Sequence, residues 1–261
     1  MKSQRSIKNP RRFALDSLRL LEESEVFFMA RSHSIGWGIR REGGSLWTRN
    51  AVRGVSVAGE RRKRDGRNEW RRWDARRSKV AASLLRCKSN PSELIPSTGA
   101  DCVYLGASSG TTVSHLHDHV CGAGNHHGGQ IVAIDISPRM MRDFILLSEK
   151  RPGIVPVLGN ARTPNSIIPY LRNRAQWLFQ DLSMPDQATA FIESTRVLLE
   201  SQGMGMIAIK AASERWTEGG DEALFSGAES EIRQSEHLEL IERIDLSGLE
   251  EQHSVIVVRR L

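Results

Sequence analysis

The residues best placed to do chemistry close short apolar runs. Asp135 follows QIVAI, Asp181 follows the run 176–179, and Lys210 ends MIAIK. Asp186-Gln187 stand just beyond Asp181. Between Leu105 and Thr112 lies Gly106-Ala107-Ser108-Ser109-Gly110-Thr111-Thr112. Two glycines four apart allow a sharp turn and close approach of backbone to a ligand. The spacing is not GxGxxG, and hydroxyl residues fill the gap. A dinucleotide pyrophosphate favours denser glycine and a bare helix N-terminus. S-adenosylmethionine has no phosphates, and backbone amides, hydroxyls and a carboxylate suffice to hold it. Asp135, 29 residues past Gly106, is where an acid reaches ribose hydroxyls. An aspartate flanked by lysines in a cleft, as Asp181 could be, would hold one amine charged and leave the other to act as a base on a weakly acidic hydroxyl. A structural ion pair at Asp181 and a snorkelling Lys210 are the simpler readings of the same residues.

These residues need elements to hold them. From Ala100 onward strand and helix alternate. Strands are expected over 101–105, 130–134, 154–157, 176–179 and 204–209, with helices to about 120 and over 138–149, 187–200 and 219–235. Two closing strands, near 238–245 and 254–259, have no helix between them and read as a hairpin. The fold class is therefore α/β, Rossmann-like with a parallel sheet, and a closing antiparallel hairpin is the ending that methyltransferase-type Rossmann folds use. Before it, the short runs 26–29, 35–39, 45–47 and 55–57 are punctuated by glycine and polar residues, and mark a small β-rich domain. Residues 11–23 have helical spacing, and 78–86 form a helix candidate capped by Ser78. The expected organisation is an N-terminal extension over 1–24, a small β-rich domain over 25–68 and a methyltransferase domain over 69–261.

The chain has 261 residues and a net charge of +6. Residues 1–98 hold 23 basic side chains against 10 acidic, and the remainder hold 14 against 21. The densest block, RRKRDGRNEWRRWDARRSK (61–79), has ten basic residues and two tryptophans. Phosphate contact with aromatic stacking needs that mixture, although a solvated charged face would look similar. No apolar run reaches the ~18 residues of a membrane span, and no h-region follows the basic N-terminus. Three cysteines, Cys87, Cys102 and Cys121, fit neither a disulfide framework nor a CxxC site, which favours a reducing, cytoplasmic compartment. His115, His117 and His119 at i, i+2, i+4 do not share one helix face. With His126 and His127 they read as structural, and no metal is expected.

Several segments together resemble the fibrillarin family, in its short archaeal form. They are WRRWDARRSKVAA (70–82), VYLGASSGTTVSHLHD (103–118), VAIDIS (132–137), IVPVLGNAR (154–162), DLSMPDQ (181–187), IAIKA (207–211) and EEQHSVIVV (250–258). LWTRNAVRGVSVAGE (46–60) is similar to the end of the family's small N-terminal domain. The resemblance implies an S-adenosylmethionine-dependent RNA ribose 2′-O-methyltransferase of box C/D ribonucleoproteins, with rRNA as the first expected substrate and tRNA as the second.

It implies a cofactor site of Gly106, Ala107, Ser109, Gly110, Thr111, Thr112, Asp135, Ile136, Asn160, Ala161, Asp181, Leu182, Ser183 and Met184. The catalytic set it implies is Lys79, Asp181, Lys210 and His253, with RNA contacts at Arg71, Arg72, Arg76 and Arg77. Implied partners are guide and target RNA, a Nop-domain scaffold protein and a kink-turn-binding protein. Two residues depart from the family pattern: Asp135 replaces the usual glutamate and Asn160 the usual aspartate. Competing readings are a stand-alone RNA methyltransferase and a structural subunit with a degenerate cofactor pocket. A nicotinamide oxidoreductase is disfavoured by the missing GxGxxG.

Overall fold

The computed structural model describes residues 32–213 and 219–261. The expected helix at 11–23, the run 26–29 and the extension 1–24 lie outside the described residues. Strands β1 (Ser32–Gly36), β2 (Ile39–Glu42), β3 (Ser45–Arg49), β4 (Arg62–Asp65) and β5 (Asn68–Trp73) form an antiparallel sheet in the order β1-β2-β3-β5-β4. The sheet runs through Trp73, so the boundary expected between 68 and 69 falls inside the β4–β5 hairpin. Asp65 pairs with Asn68, leaving Gly66-Arg67 as a two-residue loop with Gly66 at φ +57°. Glycine at the first loop position is what such tight hairpin turns require.

The basic block is thus largely a hairpin, and strand alternation divides its arginines between two faces. Arg72 points to solvent, while Arg71 and Trp73 are buried. The run 55–57 is not a strand. The Glu60 carboxylate accepts the N–H groups of Val57 and Ala58 and folds the segment back.

The second sheet contains β6 (Asp101–Leu105), β7 (Gln130–Asp135), β8 (Ile154–Leu158), β9 (Ala175–Gln180), β10 (Leu199–Lys210), β11 (Leu238–Asp245) and β12 (His253–Arg260), ordered β11-β12-β10-β9-β6-β7-β8. The pairings β8-β7, β7-β6, β6-β9 and β9-β10 are parallel, and β12 is antiparallel to both β10 and β11. Among the described residues the α-helices are α1 (Lys79–Arg86), α2 (Thr111–Val120), α3 (Pro138–Ser148), α4 (Gln187–Leu198) and α5 (Gly220–Arg233). The central strands are fully buried runs such as Cys102-Val103-Tyr104-Leu105 and Ile131-Val132-Ala133-Ile134, as a sheet covered on both faces requires. β6 lies between β7 and β9, so the strand order reverses there and a crevice opens at the C-terminal strand ends. No helix among the described residues is long and apolar enough to cross a membrane.

Helix α2 joins the two sheets. Its Asp118 is fully buried and accepts from Arg71 Nε (2.9 Å), Arg151 Nη1 (2.5 Å), Thr48 Oγ1 (3.0 Å) and the Ala51 N–H (3.0 Å). His115 lies 2.7 Å from Thr48 Oγ1 and stacks on Trp73. His117 Nε2 donates to the Pro152 carbonyl, and His119 bridges the carbonyls of Trp37 and Pro96. Among the described residues no three His, Cys, Asp or Glu side chains converge on a metal-sized site.

Burial, then the adjacent Arg151, pushes the His117 imidazole down to about 4. Burial and Arg71 push His115 well down too. Both rings therefore stay neutral in the native state at a pH where free histidine, near ~6.5, takes up a proton. The unfolded chain binds more protons between about 4 and 6.5, so stability rises with pH across that window and falls on acidification. His117 alone accounts for roughly 3 kcal/mol by its lower end. Urea unfolding at pH 7.5, 6.0 and 5.0 should show a steadily falling midpoint, and a constant one would contradict this account.

Candidate active site

The crevice at the strand ends is a cavity of about 520 Å³, within the range of roughly 300–1,000 Å³ that small-molecule sites occupy. Of the fourteen residues the resemblance implied for a cofactor, Gly106, Asp135, Ile136, Asn160, Ala161, Asp181, Leu182, Ser183 and Met184 line it. Ser108, Ile134, Gly159 and Arg162 line it as well and were not anticipated. Ser109 and Thr111 do not reach it. They face a second cavity of about 490 Å³, on whose wall Arg77 also lies. Thr112 donates to Ser78 Oγ (3.1 Å), and Ala107 is buried. Among the hydroxyls of the turn, the crevice holds Ser108 rather than Ser109 or the threonines. Ser108 adopts φ +50°, a local inversion that strand-and-helix periodicity does not reveal.

Gly106 sits at φ +89°, and a Cβ there would stand 2.0 Å from the Asp181 carbonyl oxygen. The β6 turn and the end of β9 therefore close on each other only with glycine at this position. Asp135, the last residue of β7, turns its carboxylate toward the same loop. Its Oδ2 accepts the Ser108 N–H (2.7 Å) and its Oδ1 the Ser137 N–H (2.8 Å). The shorter arm thus fixes the turn. Each carboxylate oxygen keeps a second acceptor site for a ligand hydroxyl. Ile136 is 70 % exposed beside it, an apolar surface of the kind a bound ring covers.

Lys79 opens α1. Ser78 caps that helix, accepting from the Ala81 N–H (3.3 Å) and from Trp73 Nε1 (3.0 Å). The cap ties the helix start to the small sheet, an arrangement that fixes the Lys79 stem. Lys79 Nζ lies 3.2 Å from Asp181 Oδ2. Tyr104 is buried beneath them and hydrogen-bonded to Thr112. Burial and the Asp181 charge hold its phenol well above the usual range. Lys210 ends β10 and pairs in register with His253 at the start of β12. Because β12 runs antiparallel, its first residue arrives at the same edge as the last residue of β10. Strand ends and one helix start therefore bring Lys79, Asp181, Lys210 and His253 to one rim.

Of the four arginines implied for RNA contact, Arg72, Arg76 and Arg77 are exposed. Arg71 is a correction. It is fully buried and paired with Asp118 and Glu60, because β5 turns every second side chain inward. It cannot touch RNA.

The Fibrillarin family profile matches residues 32–260. A fibrillarin-like rRNA/tRNA 2′-O-methyltransferase of Thermococcus sibiricus is 38% identical over 214 residues, covering 82% of this chain and 89% of that protein. The structure is similar to Aeropyrum pernix fibrillarin with natively bound S-adenosyl-L-methionine, at TM-score 0.73 and 29% identity over 88% of this chain and 100% of that one. It is also similar to the matched chain of a fibrillarin/Nop5p complex, at TM-score 0.73 and 26% identity over 86% of this chain and 98% of that one.

Proposed function

The chain belongs to the fibrillarin family, and from that premise we propose the following function. The protein is an S-adenosylmethionine-dependent RNA 2′-O-methyltransferase, the catalytic subunit of a guide-directed box C/D particle acting on rRNA and tRNA. The observation that carries this reading is the Lys79–Asp181 pair, at 3.2 Å, on the rim of a crevice without a phosphate-type glycine loop. A Nop-domain scaffold is the protein partner. Guide RNA and a kink-turn-binding protein complete the particle, and the setting is cytoplasmic.

The crevice suits the cofactor chemically. It has a carboxylate at each end, Asp135 and Asp181, an amide at Asn160, and apolar walls from Ile134, Ile136, Leu182 and Met184. Bound there, S-adenosylmethionine supplies an electrophilic methyl group. Asp135, Ser108 and Asn160 hold the nucleoside end, Ile136 and Ala161 cover the ring, and Leu182, Ser183 and Met184 close the wall. Gly106, with Ala107 and Gly110 behind it, shapes the turn.

The 2′-hydroxyl is a poor nucleophile and needs a base in line with the methyl group. Lys79 is engaged by Asp181. Among the described residues no carboxylate lies within ion-pair distance of Lys210, so Lys210 is the amine assigned to the hydroxyl. It takes the proton onto Nζ as the oxygen attacks, while Asp181 fixes Lys79 and balances charge. His253 borders Lys210 through strand pairing. Arg72, Arg76 and Arg77 supply phosphate contacts beside this rim.

Calorimetric titration with S-adenosylmethionine should saturate at one site, and Asp181→Ala should weaken it at least tenfold. Absence of binding both by the free chain and by the assembled particle would refute the enzyme reading and favour a structural subunit. Methylation of naked RNA without partners would instead favour a stand-alone enzyme.

A further inference from the structure

β9 ends at Gln180, whose partner on β10 is Ile207. Lys210 lies three residues further, paired with His253 of β12 on one side only. On the other side its backbone has no strand to meet. The Gln187 side chain fills that place. Its Oε1 accepts the Lys210 N–H (3.0 Å) and its Nε2 donates to the Lys210 carbonyl (3.1 Å). One amide group thus makes both bonds that a neighbouring strand would make. Gln187 is fully buried at the start of α4, and Gln180 Nε2 donates to its carbonyl (2.9 Å). The end of β9, the start of α4 and the last residue of β10 form one closed polar link.

We infer that Gln187 is the positioning residue that sets Lys210 against the 2′-hydroxyl, acting as a side-chain substitute for a missing strand. This rests on the assignment of Lys210 as the base. Without the two-handed grip, the last residue of β10 would be held on one edge, and a lysine stem anchored on one edge can swing. A shift of about 1 Å at a reacting group can cost about 100-fold in rate. The cofactor cavity is lined by other residues, so binding of S-adenosylmethionine should not register the change.

The test is single-turnover methyl transfer in the fully assembled particle. Gln187→Met keeps volume and removes both bonds. Gln187→Glu keeps the acceptor for the Lys210 N–H and removes the donor, and it serves if the methionine variant folds poorly. The expected result is a kcat lower by about 10–100-fold for Gln187→Met, a smaller loss for Gln187→Glu, and unchanged cofactor Kd and RNA KM. In a Lys210→Ala background, Gln187→Met should then lower the residual rate no further, since the two act as one unit. A multiplicative loss in that background, or a change in Kd or KM in place of kcat, would assign Gln187 a merely structural role. A fully active Gln187→Met beside an inactive Lys210→Ala would overturn this inference alone. A fully active Lys210→Ala would overturn the assigned base and the inference with it.

Discussion

Lys210→Ala should lower single-turnover methyl transfer by about 10²–10⁴-fold and leave the S-adenosylmethionine titration unchanged. The size follows from the chemistry. A ribose hydroxyl holds its proton tightly, and a positioned base is worth that factor when it relieves the developing charge in the transition state. The selectivity follows from the geometry. Lys210 is not among the residues lining the crevice proposed to hold the cofactor, so its loss should alter kcat without altering cofactor affinity. Lys79→Ala should behave differently. It leaves Asp181, which does line the crevice, without the amine 3.2 Å away, so rate and cofactor affinity should both move. Comparing the two variants separates a base from a charge-balancing amine. Transfer by Lys210→Ala within threefold of the natural protein, at saturating cofactor and RNA, would remove Lys210 from the reaction.

The second sheet was legible because its central strands are buried on both faces. Unbroken apolar runs such as Cys102–Leu105 and Ile131–Ile134 leave little choice of element. The polar residues that end them then fall at one edge of a parallel sheet. That reasoning reached Asp135, Asp181 and Lys210 from the residues alone. Lys79 and His253 came only through the resemblance. One begins a helix and the other begins an antiparallel strand, and no local pattern tells where such an end will dock.

The small sheet was harder. Its β4–β5 hairpin lies inside a charge run, and charge density masked the period-2 alternation that buries Arg71. The Asp65-Gly66 pair was the available signal for the turn. A second part of what Asp135 does was hidden for a related reason. Its length relative to glutamate was visible, but its hold on the Ser108 and Ser137 N–H groups depends on a backbone turn that sequence periodicity does not describe. Gln187 stood out only as a polar residue past a strand end. Its grip on Lys210 exists because β9 stops at Gln180 while β10 continues to Lys210, a mismatch of strand lengths seen only in register.

Asp118→Ala should destabilise the protein by about 3–5 kcal/mol, the usual cost of removing one partner from a buried ion pair. The cost comes from what remains. Arg71 is fully buried, Arg151 is 1 % exposed, and Arg151 Nη2 already lacks a hydrogen-bond partner. Without Asp118 only Glu60 opposes the two guanidinium groups, and it contacts Arg71. Thr48, the Ala51 N–H and His115 lose a neighbour at the same time. The native carboxyl is already under tension between opposing effects. Burial alone would raise its proton affinity, but Arg71 and Arg151 overcome that and hold it well below the ordinary carboxylate value. Its contribution is therefore fully present above the ordinary value near ~3.9 and is lost as pH falls toward the depressed native one. Asp118→Asn keeps the shape and some hydrogen bonds but removes the charge, and should lie between the natural protein and the alanine variant. Urea unfolding at pH 7.5 measures all three. A loss below about 1 kcal/mol for Asp118→Ala, the scale of an exposed ion pair, would mean that water or a rearranged side chain reaches the two arginines. Helix α2, which follows the Gly106–Gly110 turn and carries Asp118, would then not be the joint that fixes the small sheet to the large one.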